Sequence, residues 1–296
     1  MNRVVYVGGY GRSGSSLVDR LVASKTGGFS GGELFSLFAW AENGQKCSCG
    51  VPVNECPFWR PIIVDAVDAT GDTLAALSAS LIDSEFRRHP TSQWRLAWTS
   101  VFRSLSDCGF EIVVDSSKNA NGRRRARMLN TLNGVEVIVF LHVHRRLPAV
   151  LHSRLKGNNR ALESQSPAPR DRLAISRAIL GWVIANLYAS WSGPRSASDY
   201  ISLSYEKIVE TNGSALFDLI GEMSADSIGN PAEAFHNISG NRILRSGEAI
   251  NIRFDERWRK ELPFALRVAC VLIERPTIVA MRVVSRISLR IVRARS

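Results

Sequence analysis

Long apolar runs are missing from this chain. The first, Val4 to Val7, gives way to glycines and is too short for the core of a secretion signal. The segment around Ala178 to Trp191 is interrupted by Asn186 and reads as too short to cross a bilayer. Both shortfalls favour a soluble, cytoplasmic protein. Acidic residues are scarce as well: 27 Asp and Glu against 38 Lys and Arg leave a net charge of +11. Such a surplus suits an acidic partner, whether nucleic acid, an anionic membrane surface or a polyanionic small molecule. Nucleic acid is the weakest of these, because the chain has no recognised nucleic-acid module and no basic clusters interleaved with aromatics. Internal repeats are absent too.

Cysteine is limited to five residues, three of them in CSCGVPVNECPFW, Cys47 to Trp59. A zinc site draws four ligands, commonly with Cys-x2-4-Cys spacing. Here Cys47 and Cys49 have one further cysteine, Cys56, and no histidine nearby in the sequence. The expectation is therefore no metal, with either free or buried thiols or a disulfide from Cys56 to one of the other two.

What the chain does have is a globular composition, 296 residues with 45% hydrophobic, enough for a substantial core. Val4 to Val7, a glycine loop, and apolar residues at 17, 18, 21 and 22 read as strand, turn and helix. Further runs at Glu111 to Asp115, Val135 to His144 and Tyr200 to Tyr205 read as strands; those of 111–115 and 135–144 are continuous enough to be buried on both faces. Helical patterns lie at about 33–41, 74–87, 94–106, 122–131, 148–155, 171–192 and 206–222. The alternation predicts an α/β fold, a three-layer sandwich with a mostly parallel central sheet, ligands binding at the carboxyl ends of its strands. The polar, proline-containing stretch 156–170 reads as a loop, a candidate lid. Residues 1–265 form the main domain in this reading, and 266–296 a basic amphipathic helix or tail. From Pro276 onward it holds five arginines (282, 286, 290, 293 and 295) and no acid. Arginines on one helical face and Val283, Ile287 and Ile291 on another would suit an anionic membrane surface.

The loop GGYGRSGSS, Gly8 to Ser16, keeps the glycine and serine spacing of a nucleoside-triphosphate loop, but Ser15 stands where its lysine would be. The positive charge is Arg12 instead. Glycine-rich backbone followed by a helix N-terminus is an anion cradle whatever its side chains. A second candidate anion site is Arg145, at the end of the strand 135–144, with Ser153 eight residues later on the next helix: one charged and one neutral donor for a single phosphate monoester.

Taken in order, GRSGSS and the R-x7-S pair resemble the sulfotransferase family that uses 3′-phosphoadenosine 5′-phosphosulfate (PAPS). Local matches at Gly31 to Phe38, Val113 to Arg125, Ser204 to Ile208, His236 to Gly247 and Phe254 to Trp258 resemble segments of its bacterial members. The resemblance implies that Gly11, Arg12, Ser13, Gly14, Ser15 and Ser16 hold the 5′-phosphosulfate. It implies that Arg145 and Ser153 hold the 3′-phosphate, with Arg242 or Arg245 closing over it and Tyr205 either contacting adenine or packing on the sheet. It also implies sulfuryl transfer to a hydroxyl acceptor (a carbohydrate, lipid or other small molecule), the bisphosphate PAP as product, and no metal. Cytosolic members carry a catalytic histidine after the strand that here ends at Asp115, where this chain has Ser116, Ser117 and Lys118. Other members have a glutamate after the first helix, the place of Glu33. Glu33 is thus the expected base, with Arg12 and Lys118 neutralising developing charge. The arginines of 123–127 are expected to face solvent. Two rivals remain: a kinase or NTPase using Mg-ATP, with VVDSS as its magnesium-binding strand end, and a non-enzymatic basic protein that binds nucleic acid or membrane.

Overall fold

The computed structural model describes residues 1–118, 124–156, 172–221, 236–238, 252 and 254–294. Five parallel strands form one sheet in the order β2-β3-β1-β4-β5: β1 (Asn2–Gly8), β2 (Phe29–Gly32), β3 (Ile112–Asp115), β4 (Val135–His144) and β5 (Asp199–Ser204). The helices are α1 (Ser15–Thr26), α2 (Leu37–Glu42), α3 (Trp59–Thr70), α4 (Leu74–Arg87), α5 (Ser92–Asp107), α6 (Arg125–Leu129), α7 (Leu147–Leu155), α8 (Arg172–Ser192), α9 (Tyr205–Glu210), α10 (Ser214–Ile220), α11 (Trp258–Glu261) and α12 (Phe264–Arg293). The expected α/β sandwich is the observed one.

Alternation along β1 shows how the layers arise. Val4 and Tyr6 enter an aromatic core with Phe29, Trp59, Trp98, Phe110 and Phe140 beneath α2 to α6. Val5 and Val7 enter an aliphatic core with Val18 and Leu21 of α1 and Ile208 of α9. A strand with both faces covered has no polar side to show, hence the continuous apolar runs. A third cluster joins Tyr10 to α7, α8 and α12 through Val150, Leu151, Trp182 and Cys270.

Four features differ from expectation. β2 and α3 were not anticipated: FSGG is short and half glycine, and the start of α3 carries Pro61. The region 206–222 is two helices, α9 and α10, separated where Asn212 and Gly213 take positive φ of 48° and 89°. Arg125, expected in solvent, is 1% exposed: its guanidinium reaches Asp115 at 2.7 Å and Glu85 at 2.6 Å and lies 3.9 Å over the Trp98 ring. Burial alone would lower its pKa, but the two carboxylates outweigh it and hold the charge.

The segment thought too short for a bilayer is not short. α8 and the 3-10 turn after it run from Leu173 to Arg195, 23 residues, long and apolar enough by length and composition to cross a membrane. Asn186 does not interrupt it, because its side chain donates to Trp182 O (2.8 Å) and lies 3.0 Å from buried His142. One face of α8, with Trp182, Ala185 and Ala189, is buried in the protein. α12 is a continuous 30-residue helix through Pro276. Cys270, Thr277, Met281 and Ser288 face inward, and Ser288 Oγ donates to Trp191 O at 2.8 Å.

Candidate active site at the carboxyl edge of the sheet

Each strand contributes to one edge. Crossing the sheet from β2 to β5, the residues just past the strand ends are Glu33, Lys118, the Gly9–Ser16 loop, Arg145 and Tyr205. In a parallel sheet this edge is where loops converge and helix N-termini point, so polar groups can gather without burying unpaired backbone.

The loop is held open by backbone conformations that side chains resist. Arg12 has φ 72° and Gly14 φ 91°. Position 14 must be glycine for a second reason: a Cβ there would sit 2.2 Å from the Tyr205 ring. Tyr205 thus packs against the loop. Gly14 caps α1 through its backbone alone, accepting from Leu17 N and Val18 N at 3.0 and 3.1 Å with no side-chain cap bond. The first-turn N–H groups of Ser15 and Ser16 thus carry the positive end of α1 to the loop. Ser13 is buried, and its hydroxyl meets no hydrogen-bond partner among the described residues.

Cations gather around this loop. Arg145 is only 9% exposed, yet the nearest carboxylate to it among the described residues is Asp255, at 3.9 Å. Asp255 is already held by Arg257 through two bonds of 2.7 and 2.9 Å. The Arg145 guanidinium rests 4.6 Å over the Tyr205 ring and touches Arg12 O at 3.5 Å. Burial and the repulsion of Arg154 push the Arg12 pKa down, and Glu33 partly restores it. The phenol of Tyr205 is pushed up by burial and opposed by Arg145.

On the other side of the loop, Glu33 follows β2 and begins a 3-10 turn, Leu34–Ser36. Lys118, at φ 60°, donates to its carboxylate. Both are part-buried, with side chains 22% and 12% exposed. Their backbones are fixed from several directions: Glu33 N donates to Ile238 O (2.7 Å), Ser116 N to Gly32 O (2.8 Å), Tyr6 Oη to Lys118 O (3.2 Å) and Phe35 N to Ser117 Oγ (3.0 Å). Gly32 makes room for this, since its φ is 67° and a Cβ would meet Ile238 O at 2.5 Å.

The five histidines supply no rival base on this edge. His142 is buried between Tyr200 Oη and Asn186, its pKa lowered to about 3 mainly by burial. His144 is lowered to about 4, again by burial first and then by Arg282. His152 pairs with Glu261 at 3.0 Å, His236 lies among the cysteines, and His89 is on the exposed end of α4.

The structure thus brings Gly11 to Ser16, Arg145 and Tyr205 together, with the Glu33–Lys118 pair beside Arg12. Ser153 is part-buried on α7, next to Arg154. Arg242 and Arg245, and the stretch expected to be a lid, lie outside the described residues except for Lys156, which pairs with Glu261 at 2.6 Å. Three site groups were not anticipated. Arg154 donates to Tyr10 Oη and lies 4.6 Å over its ring, and Asp255 faces Arg145. Arg154 directly follows Ser153 and Asp255 lies in FDERW, so both stood beside a noted motif. A long-range contact was needed to single them out.

The supposed magnesium aspartate is already engaged. Asp115 accepts from Arg125 Nε at 2.7 Å with one oxygen, and from Ser117 N (2.9 Å) and Ser117 Oγ with the other.

Compared with solved structures, the chain is similar to a sulfotransferase domain from the curacin biosynthetic pathway, at 16% sequence identity and a TM-score of 0.46 over 93% of this chain and 97% of that chain. No protein-family model matches the sequence. No curated protein matches it either.

Proposed function

We propose that the protein is a PAPS-dependent sulfotransferase acting on a hydroxyl acceptor. The observation that carries this reading is Arg145: a nearly buried guanidinium beside a glycine-rich loop, its nearest carboxylate among the described residues 3.9 Å away and shared with Arg257. Buried cations are ordinarily paired, so this one suits an anionic ligand. Two cation positions, Arg12 in the loop and Arg145 past β4, suit a nucleotide with more than one anionic group, such as one phosphorylated at both its 5′ and 3′ ends. The unpartnered Ser13 hydroxyl adds a donor at the loop.

In this reading Gly11 to Ser16 hold the phosphosulfate and Arg145 with Ser153 the 3′-phosphate, while Tyr205 walls the site between them. Glu33 takes the acceptor's proton as the acceptor oxygen bonds to sulfur. The bond from sulfur to the bridging oxygen breaks, and the electron pair leaves with adenosine 3′,5′-bisphosphate. Arg12 and the α1 N-terminus stabilise that negative charge. Lys118 orients Glu33 and faces the sulfuryl group. The acceptor is a carbohydrate, lipid or other small-molecule hydroxyl.

The test is calorimetric binding of adenosine 3′,5′-bisphosphate without metal, beside Mg-ATP, to the wild type and Arg145→Ala. Tight metal-free binding that weakens in the variant supports the reading. A preference for Mg-ATP that is indifferent to Arg145 refutes it and favours the kinase-like rival. Exposed Leu272, Val279, Val283 and Ile287 on α12, with arginines at 282, 286 and 290, extend the proposal to a protein that works at an anionic membrane surface. Equal binding of the wild type and an Arg286→Glu/Arg290→Glu variant to vesicles of anionic lipid would remove that extension.

A further inference from the structure

The cysteine group lacked a fourth ligand in the sequence, and the fold supplies one. His236, 180 residues beyond Cys56, brings its Nδ1 to 3.2 Å from Cys56 Sγ and 3.6 Å from Cys47 Sγ. Cys49 Sγ lies 3.6 Å from Cys56 Sγ, and all four ligand atoms fall within 4.8 Å of one another. A tetrahedron with Zn–S bonds of about 2.3 Å has sulfur–sulfur edges of about 3.8 Å. A disulfide needs its sulfurs at about 2.0 Å, and the three cysteines are free thiols. We propose that Cys47, Cys49, Cys56 and His236 form a structural zinc site.

The surroundings are those of a thiolate site. Cys47 to Gly50 make a tight turn, with Gly50 N donating to Cys47 O at 2.9 Å and Gly50 at φ 90°. Backbone N–H groups of Phe58 and Trp59 are directed at Cys56, and that of Cys49 at Cys47. Such bonds stabilise sulfur that carries charge. The imidazole is oriented before any ion arrives: its ring stacks on Phe58 at 4.8 Å and 14°, and Trp59 Nε1 donates to His236 O at 2.7 Å. Three sulfurs and one imidazole are the ligand set that zinc prefers, and four protein ligands leave no open position for catalysis. Exposed Cys49 gives a route in, and a groove of about 410 Å³ is bordered by His236, Phe58, Asp65 and Asp107.

The ion would pin a late segment against the start of the chain. Asn237 N donates to Ser48 Oγ (2.9 Å), Asn237 Nδ2 to Ser30 O (2.7 Å), Ile238 N to Gly31 O (3.1 Å) and Glu33 N to Ile238 O (2.7 Å). Zinc at this knot therefore holds the backbone on which Glu33 sits. The inference does not depend on what reaction Glu33 serves.

Elemental analysis of the full chain, purified without chelator from zinc-supplemented cells, should give about one zinc per chain. Cobalt reconstitution should give thiolate charge-transfer and tetrahedral d–d absorption. Cys49→Ser, at an exposed position, should lose most of the zinc while keeping the wild-type circular dichroism. His236→Cys should retain zinc where His236→Ala does not, which separates lost ligation from failed folding. Wild-type protein with no zinc, no cobalt spectrum and three thiols that react freely would overturn the proposal. So would an intact mass two daltons light with Cys49 linked to Cys56, which would make the cluster a redox pair instead.

Discussion

Two arginines are nearly buried beside the same sheet, and they live differently. Arg125 has carboxylates at 2.6 and 2.7 Å and an indole beneath it, so its charge is paired inside the protein. Arg145 has a tyrosine face and a carboxylate at 3.9 Å that Arg257 already holds. The first arrangement ties α4, β3 and α6 together. The second leaves donor capacity at a strand's carboxyl end, beside a loop whose geometry favours anions. In a chain with surplus positive charge, sign alone separates nothing; the distance to the nearest carboxylate does.

The largest effect is expected at Arg125. Arg125→Ala leaves Asp115 and Glu85 buried without their cation, which should cost about 3–5 kcal/mol of folding stability. Urea denaturation checks this. A loss below about 1 kcal/mol would mean that the network is wetter than its burial indicates.

Glu33→Gln comes next, at the proposed base. Removing a general base should lower turnover by about 10²–10⁴-fold, measured with an acceptor found by screening hydroxyl compounds. Bisphosphate affinity should stay near the wild-type value. If affinity falls and turnover with saturating donor does not, Glu33 belongs to donor binding. Arg145→Ala should have the opposite profile: bisphosphate Kd rises about 10–150-fold, as for a lost charged hydrogen bond, with urea stability changed little. A large stability loss there would place Arg145 in the same class as Arg125.

Legibility in the sequence followed the range of the interactions. β1, its loop and α1 are a local pattern, and β4 ends where its apolar run ends, so Arg145 could be placed at the edge from sequence alone. Tyr205 was legible as a position but not as the ring that forbids any side chain at 14, because that contact joins the loop after β1 to the residue after β5. β2 could not be read: its pairing with β3 spans some eighty residues, and two of its four residues are glycines needed for close approach to Leu34 and Ile238. Arg125 looked like one of a solvated run because Glu85 and Trp98 are far away in the chain. The cysteine cluster lacked its histidine for the same reason. Local signals located the glycine-rich loop at the sheet edge, whereas Glu85 beside Arg125 and Asp255 beside Arg145 are forty or more residues away in the chain.

The finest test of the comparison is Asp255→Asn, where the expected sign is a gain. The carboxylate is held at a pKa of about 2, first by its hydrogen bonds from Arg257 and only lastly by Arg145. A folded value below the unfolded one means that any stability Asp255 contributes is present above pH 4 or so, and is lost as pH falls toward 2. Between pH 6 and 8 it is therefore a constant negative charge near the cation proposed to receive a phosphate. At 3.9 Å the Coulomb attraction runs from about 1 kcal/mol at the dielectric of water to about 4 kcal/mol at that of a protein surface, and a ligand must overcome part of it. Asp255→Asn should tighten bisphosphate binding by about 2–5-fold between pH 7 and 8, where the carboxylate and the ligand's phosphates are both ionised, and the Arg145→Ala background should abolish the gain. Weaker binding in the single variant would show that Asp255 positions Arg145 rather than competing for it, and the two arginines would then differ in degree of pairing but not in kind.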